Sequence, residues 1–239
     1  MIILGFEGTA KIASVAVIND NKILSSYTID NGLTQSELLL PMAESMLSGL
    51  KLGFEDVDLF ATAVGPGSFT GVRIGVSLVK GLAFGRGVPC VSVSTLEELS
   101  ENLRGISAVI VPVMDARRAQ VYNAIFEGDG KSITRITEDR AISLSALAEE
   151  LSKYKGKDIY LVGDGYDVAY EYLTSNGIKV CDTPTSLISE NAVSVCFVAK
   201  RKYEAGLATS DLEIAPTYLR MPQAERERLE KEKLKGDRE

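Results

Sequence analysis

Apolar and polar positions along the first hundred residues alternate between strand-like and helix-like spacing. Ile2 to Phe6 is apolar throughout, Ile12 to Ile18 is rich in small and β-branched residues, and Ile23 to Ile29 is mixed; each predicts a strand. Asn19-Asp20-Asn21 supplies turn chemistry between the second and third, so these two form a hairpin. Helical spacing then covers about Thr34 to Leu50. An apolar strand follows at Asp58 to Val64, then the turn Gly65-Pro66-Gly67 and a helical stretch from Thr70 to Gly85. A short strand at Cys90 to Val93 and a helix at Thr95 to Leu103 complete this half.

The second half repeats the order. Strands are predicted at Ala108 to Met114, Gln120 to Glu127 and Ser132 to Glu138, a helix at Ser143 to Lys153, a strand at Asp158 to Val162, and helices at Asp167 to Ser175 and Ser189 to Ala205. A hairpin leading into parallel βα units is an α/β layer design. Two such lobes in tandem resemble the actin, heat-shock-ATPase and sugar-kinase superfamily, whose lobes are RNase H-like. The expected division is an N-terminal lobe over residues 1–104, a C-terminal lobe over 105–210 and a terminal segment over 211–239. In that last segment, twelve of the fifteen residues from Glu225 to Glu239 are charged, six of each sign, as in a solvated helix end or a disordered tail.

Composition narrows the chemistry. With 26 basic against 33 acidic residues, the net charge of -7 disfavours broad binding to nucleic acid or anionic membrane. The three cysteines, Cys90, Cys181 and Cys196, form no C-x-x-C pair and fit buried thiols in a reducing compartment. The N-terminal residues have no basic n-region or cleavable apolar core, and no run reaches the roughly 18 to 20 apolar residues of a membrane helix. A cytoplasmic protein is therefore expected. Histidine is absent. That removes histidine acid–base catalysis, Ser-His and Cys-His nucleophile pairs, and every histidine-ligated metal site.

The strongest local motif is Gly65-Pro66-Gly67-Ser68-Phe69-Thr70-Gly71-Val72-Arg73, which follows a strand and opens a helix. Free amides at a helix start can hold an anion. The motif is neither a Walker A loop nor G-x-G-x-x-G, and a tight turn with Ser68 or Thr70 capping the helix is the competing explanation. Glu7-Gly8-Thr9 and Asp115-Ala116-Arg117-Arg118 end corresponding strands of the two halves. ATP-hydrolysing relatives of this fold carry acids near Mg2+ and phosphate at those points; here a structural ion pair at Asp115 is the alternative. Gly163-Asp164-Gly165 reads as a strand-exit turn, and residues 211–220 as a segment packing the C-terminus back onto a lobe.

Two helices carry surplus surface. Leu38, Leu39, Leu40, Met42, Ala43, Met46, Leu47 and Leu50 span roughly 200° of helix circumference, where a helix on one sheet needs about 100°. Pro41 must start or kink that helix. In the next helix Gly71, Gly75, Gly81 and Gly85 each cost roughly 1 kcal/mol against alanine, yet they share one stripe with Leu78 and Leu82. Close packing on the helix's own sheet accounts for such a stripe; so does a helical protein–protein contact of about 800 Å2 per partner.

The run Gly65 to Ser77, GPGSFTGVRIGVS, completed by Lys80-Gly81-Leu82-Ala83, resembles the signature of the TsaB (YeaZ) family. Ser92-Val-Ser-Thr-Leu-Glu-Glu-Leu, Pro112-Val-Met-Asp-Ala-Arg-Arg-Ala-Gln-Val-Tyr122 and Ala215-Pro-Thr-Tyr-Leu-Arg220 match in the same order. The resemblance implies a bacterial protein needed to make N6-threonylcarbamoyladenosine beside the anticodon of ANN-reading tRNAs. It would be a non-catalytic scaffold that binds and stabilises the transferase TsaD, which moves the threonylcarbamoyl group from its adenylate to adenosine. TsaD holds its metal partly with a His-x-x-x-His pair, a site this histidine-free chain lacks. The ATPase TsaE joins the complex, TsaB alone forms a homodimer, and tRNA is met only through the complex. The family's contact helices map onto Leu39, Met42 and Met46 of one helix and Gly71, Gly75, Leu78, Gly81 and Leu82 of the other. No catalytic, cofactor-binding or metal-ligating residue is assigned. Two positions depart from the family's pattern: Glu7-Gly8-Thr9 replaces a more usual Asp-Thr-Ser-like start, and Gln35 stands where histidine is often found before Ser36-Glu37.

The competing function is a stand-alone nucleotide-binding enzyme of the sugar-kinase-like fold, which needs acids and phosphate loops in both lobes. A peptidase, an older label for the family, needs metal ligands that a histidine-free chain does not supply. A nucleotide-binding regulator is the third possibility, with a nucleotide-dependent shift in melting temperature as its mark.

Overall fold

The computed structural model describes residues 1–117 and 119–220. The charged run from Glu225 to Glu239 lies outside them. In the first half, β1 (Ile2–Glu7), β2 (Ala13–Asn19) and β3 (Lys22–Ile29) form an antiparallel meander. The parallel strands β4 (Leu59–Ala63) and β5 (Cys90–Val93) extend it, giving the order β3-β2-β1-β4-β5. The period-2 alternation of β1 sends Leu4 and Phe6 to one face and Ile3 to the other. The first face is covered by α1 (Gln35–Gly49) and α2 (Phe69–Ala83), and it buries Phe6, Phe60, Met46 and Leu47. Full burial of one such side chain stabilises by roughly 1.5–3 kcal/mol.

The second half builds a sheet around β6 (Ser107–Asp115), with the strands β7 (Gln120–Asn123), β8 (Phe126–Asp129), β9 (Ile133–Arg135), β10 (Arg140–Ser143) and β11 (Ile159–Val162). The expected strand Gln120 to Glu127 is split. Val113 lies opposite Asn123 and Ile110 opposite Phe126 in one continuing register, so β7 and β8 act as one strand interrupted at Ala124–Ile125. Pro112 of β6 sits at the interruption with no amide hydrogen to donate, and its carbonyl instead accepts from Asn123 Nδ2 at 2.9 Å. β9 and β10 border this strand; β9 falls within the expected strand Ser132 to Glu138, and β10 is a separate strand beyond it that the spacing did not predict. β11 runs parallel to β6, and the Tyr160–Cys181 bridge occupies the place that β5 has in the first sheet. The repeat read from the order of elements is therefore a repeat of topology.

The helices do not all cover the sheet of their own half. α4 (Leu144–Leu151) and α5 (Tyr166–Ser175) cover one face of the second sheet through Leu144, Leu147, Leu151, Ala169 and Leu173. Its other face is covered by α3 (Thr95–Glu101) of the first half, through Leu96 and Leu99 with Leu103 just beyond it. Conversely α6 (Ala192–Glu204), expected with the second lobe, packs Ala192, Val195, Cys196 and Ala199 on the first sheet. The two halves are thus joined by exchanged helices. Among the described residues no helix is long and apolar enough to cross a membrane.

Candidate functional site

The strand ends of the two halves meet at the junction of the lobes. Glu7 closes β1 and is fully buried; its Oε1 accepts from the Thr9 amide at 2.5 Å and the Thr9 hydroxyl at 2.6 Å, while Oε2 has no partner. Burial pushes the Glu7 carboxyl up from 4.5 to about 7. Glu98 of α3 is equally buried, with Oε1 unpartnered, and burial together with the Glu7 and Glu190 carboxyls raises it well above its ordinary value. Glu190, just before α6, is raised to about 8 by burial and by Asp164 and Glu7. Its Oε1 accepts from the Asp164 amide at 3.3 Å, and Asp164 Oδ1 accepts from the Asp115 amide at 3.0 Å. Four carboxyls from four chain segments converge here. Asp164 feels Lys11, but no cation lowers Glu7, Glu98 or Glu190.

Sequence reasoning singled out Glu7, Asp115 and Asp164 but missed Glu98 and Glu190. Glu98 lies in an acidic first helical turn, where glutamate is ordinary on dipole grounds. It is buried where α3 meets the start of α6, its Oε2 accepting from the Asn191 amide at 3.4 Å. Asp115 forms a turn, Oδ1 accepting from the Arg117 amide at 2.7 Å, and makes no ion pair among the described residues; Arg118, the other arginine considered, lies outside them. Among the described residues, no group of three or more acids and cysteines is arranged to hold a metal ion.

Three amides of the Gly65–Arg73 loop are engaged within the protein. Ser68 N donates to Thr9 O at 2.6 Å, Gly71 N to Ser68 Oγ at 3.3 Å, and Val72 N to Ser68 O at 2.9 Å. Ser68 is the N-cap of α2, as the capping explanation requires. Beside the loop lies a cleft of about 880 Å3 whose charged lining is Lys11, Arg73, Arg117 and Arg220 with Asp30, Asp115 and Asp164. At its rim Gln35 Nε2 donates to Ala10 O at 2.9 Å, tying the start of α1 to the loop after β1.

Several of the expected contact residues have no surface to offer. Leu39, Met42 and Met46 are buried, and so are Leu38, Ala43 and Leu47. The wide apolar arc of α1 is used up inside the lobe because the helix is wedged between the sheet and α2. Pro41 lies within the helix on its exposed side, so the helix runs through it without starting there. Gly71 and Gly75 are also turned inward. A Cβ on Gly71 would collide with Gly8 O, and one on Gly75 would lie 2.7 Å from Thr62 Oγ1. Those two glycines serve close packing within the lobe, Gly71 on the loop after β1 and Gly75 on β4. Leu78 and Leu82 are half-buried, and Gly81 is exposed with open space around it. Leu40 of α1 is also exposed, as is Phe84, just after α2, at 74%.

Residues 33–228 match the family model described as TsaD: tRNA N6-adenosine threonylcarbamoyltransferase. The tRNA threonylcarbamoyladenosine biosynthesis protein TsaB of Bacillus subtilis strain 168 is 27% identical over 234 residues, 98% of this chain and 100% of that protein. The chain belongs to the TsaB (YeaZ) branch of this family. YeaZ from Pseudomonas aeruginosa has the same fold, with a TM-score of 0.76 at 23% identity over 91% of this chain and 99% of that one. The ROK hexokinase of Thermus thermophilus superposes with a TM-score of 0.50 at 9% identity, over 85% of this chain and 100% of that chain. The TsaB fold here is a two-lobed α/β architecture, shared with YeaZ and in outline with the ROK hexokinase.

Proposed function

We propose that this chain acts in tRNA threonylcarbamoyladenosine synthesis as a non-catalytic scaffold that binds and stabilises the transferase TsaD. TsaE joins the assembly, a second copy occupies the contact face when the chain is alone, and tRNA is met only through the complex, in the cytoplasm. The observation that carries this reading is the junction itself. Where ATP-hydrolysing members of the fold keep exposed acids for metal and phosphate, this chain buries Glu7 against Thr9. It has no histidine to replace them. The names of the relatives place those proteins in the same pathway. The contact face on this reading is the outward side of α2, formed by Leu78, Gly81 and Leu82, with the exposed Phe84 just after the helix.

The test is light scattering on the purified chain mixed with TsaD from the same organism, repeated with Gly81→Arg. Gly81 faces open space, so the variant keeps the fold. A wild-type complex that the folded variant fails to form is the expected result. No complex, with or without TsaE and nucleotide, overturns the scaffold reading and favours the stand-alone nucleotide-binding enzyme.

A further inference from the structure

After α6 the chain returns to the first lobe and then reaches across to the second. Thr209 and Cys90 exchange amide-to-carbonyl hydrogen bonds at 2.8 Å each, extending the β5 edge. Lys80 Nζ donates to Leu212 O at 3.0 Å, and Ile214 is fully buried in the core beneath α1 and α2. Thr217 N donates to Val64 O at 2.8 Å. The segment passes so low over the loop that a Cβ on Gly65, whose φ is +109°, would lie 2.6 Å from Thr217 O. Tyr218 then stacks on Phe69 of α2, centroids 4.5 Å apart and planes 14° apart, and its hydroxyl accepts from Arg73 Nε at 2.7 Å. Two residues further on, Arg220 is bound to the other lobe. Its guanidinium donates to Ala116 O at 2.8 Å and to Gln120 Oε1, and it lies over the Tyr122 ring at 5.4 Å.

Arg73, Tyr122 and Arg220 all line the cleft of about 880 Å3 between the lobes, so this crossing lies at its mouth. The opposite side of the junction is pinned differently. Asn102, just after α3, donates to Leu187 O and Ser189 O at 3.0 and 2.9 Å and accepts from Asn191 Nδ2 and Ser194 Oγ at 2.8 and 2.7 Å. Glu101 beside it binds Arg201 through both carboxylate oxygens, at 2.9 and 2.6 Å. That side has every Asn102 valence satisfied and a two-point ion pair, so it is the stiff one. The cleft side is held by single residues of an irregular segment.

We propose that residues 214–220 are a strap that latches the interlobe cleft, with Tyr218 as its anchor on α2 and Arg220 as its catch on the second lobe. The Asn102–Glu101 side is the hinge about which the cleft opens when the catch is released. A guanidinium hydrogen bond to a carbonyl, with a cation–π contact beside it, holds the closed form by about tenfold or more in population.

The test places spin labels on the full chain at Ser36→Cys and Ala146→Cys, both exposed and on opposite lobes, in a Cys181→Ser background; Cys90 and Cys196 are buried. Interlobe distances from pulsed electron resonance are then compared among wild type, Arg220→Ala, Tyr218→Ala and Tyr203→Ala. Tyr203 is a similarly exposed tyrosine on α6 that takes no part in the strap. The expected result is a longer, broader distribution in both strap variants, the long-distance fraction rising about tenfold, with Tyr203→Ala matching wild type. Because Tyr218 and Arg220 lie outside every helix, strand and buried core cluster, both variants are expected to fold, as circular dichroism would verify. Distributions in folded strap variants that superimpose on wild type overturn the proposal. So does equal broadening in Tyr203→Ala.

Discussion

Raising the pH from 5 to 9 should destabilise this protein, and the buried carboxyls at the lobe junction set the size of the effect. Glu7 binds its proton with a folded-state pKa of about 7 and Glu190 with one of about 8, against 4.5 for each when solvated. A carboxyl whose pKa rises on folding adds stability that is fully present below 4.5 and is lost as pH climbs through the folded value. At about 1.4 kcal/mol per tenfold in proton affinity, Glu7 alone accounts for roughly 3 kcal/mol. The groups interact, so their sum is not simple, and a total loss on the order of 3 to 5 kcal/mol is expected. Urea unfolding at pH 5.5, 7 and 8.5 measures it as a falling midpoint. Glu7→Gln keeps an oxygen for the Thr9 donors and removes one titration, so its midpoint should fall distinctly less over the same range. A wild-type midpoint that is flat or rises towards pH 8.5 refutes the account of a junction held by protonated acids.

The glycines of α2 give a paired prediction. Gly75→Arg forces a charged side chain against Thr62 and the sheet and should cost at least about 4 kcal/mol or abolish folding, whereas Gly81→Arg enters open space and should hold or slightly raise the melting temperature through better helix propensity; similar melting temperatures for the two would refute it. Thiol titration of the native protein should find one reactive cysteine, the partly exposed Cys181. Cys90 and Cys196 should respond only on unfolding, since burial pushes both thiols up, Cys90 to about 11; fast reaction of two or more thiols counts against the packing described.

Element type and order were legible because each depends on local periodicity. The first three strands with the hairpin between the second and third, the six helices and the repeated order of elements came from spacing and turn residues. What spacing could not reveal was which surface each helix meets. The apolar arc of α1 and the glycine stripe of α2 are the same in sequence whether they face a partner or each other. In the structure Leu39, Met42, Met46, Gly71 and Gly75 face inward and only Leu78, Gly81 and Leu82 reach the surface. The split of β7 from β8 was visible in principle, since Pro112 withholds a ladder hydrogen bond from the facing strand. The exchange of α3 and α6 between sheets left no local mark, and Glu98 and Glu190 stayed hidden with it.

That exchange also explains how a chain with acids at both strand ends can use them structurally. In an open cleft, an acid at the end of β1 would be solvated, charged and free to meet a cation. Here α3 and the start of α6 are packed against the strand ends, delivering Glu98 and Glu190 to the same small volume as Glu7. Burial and mutual repulsion raise all three carboxyls, so below those raised values they hold protons, and a protonated carboxyl is a poor ligand for a metal ion. The loop that opens α2 is tied to the same cluster, with Ser68 N on Thr9 O and Thr9 in turn on Glu7. One chain of contacts, from Glu7 through Thr9 to the cap of α2, thus converts the ligand-facing end of the fold into the joint between its halves. The strap then closes the cleft that remains from the other side, through Tyr218 and Arg220.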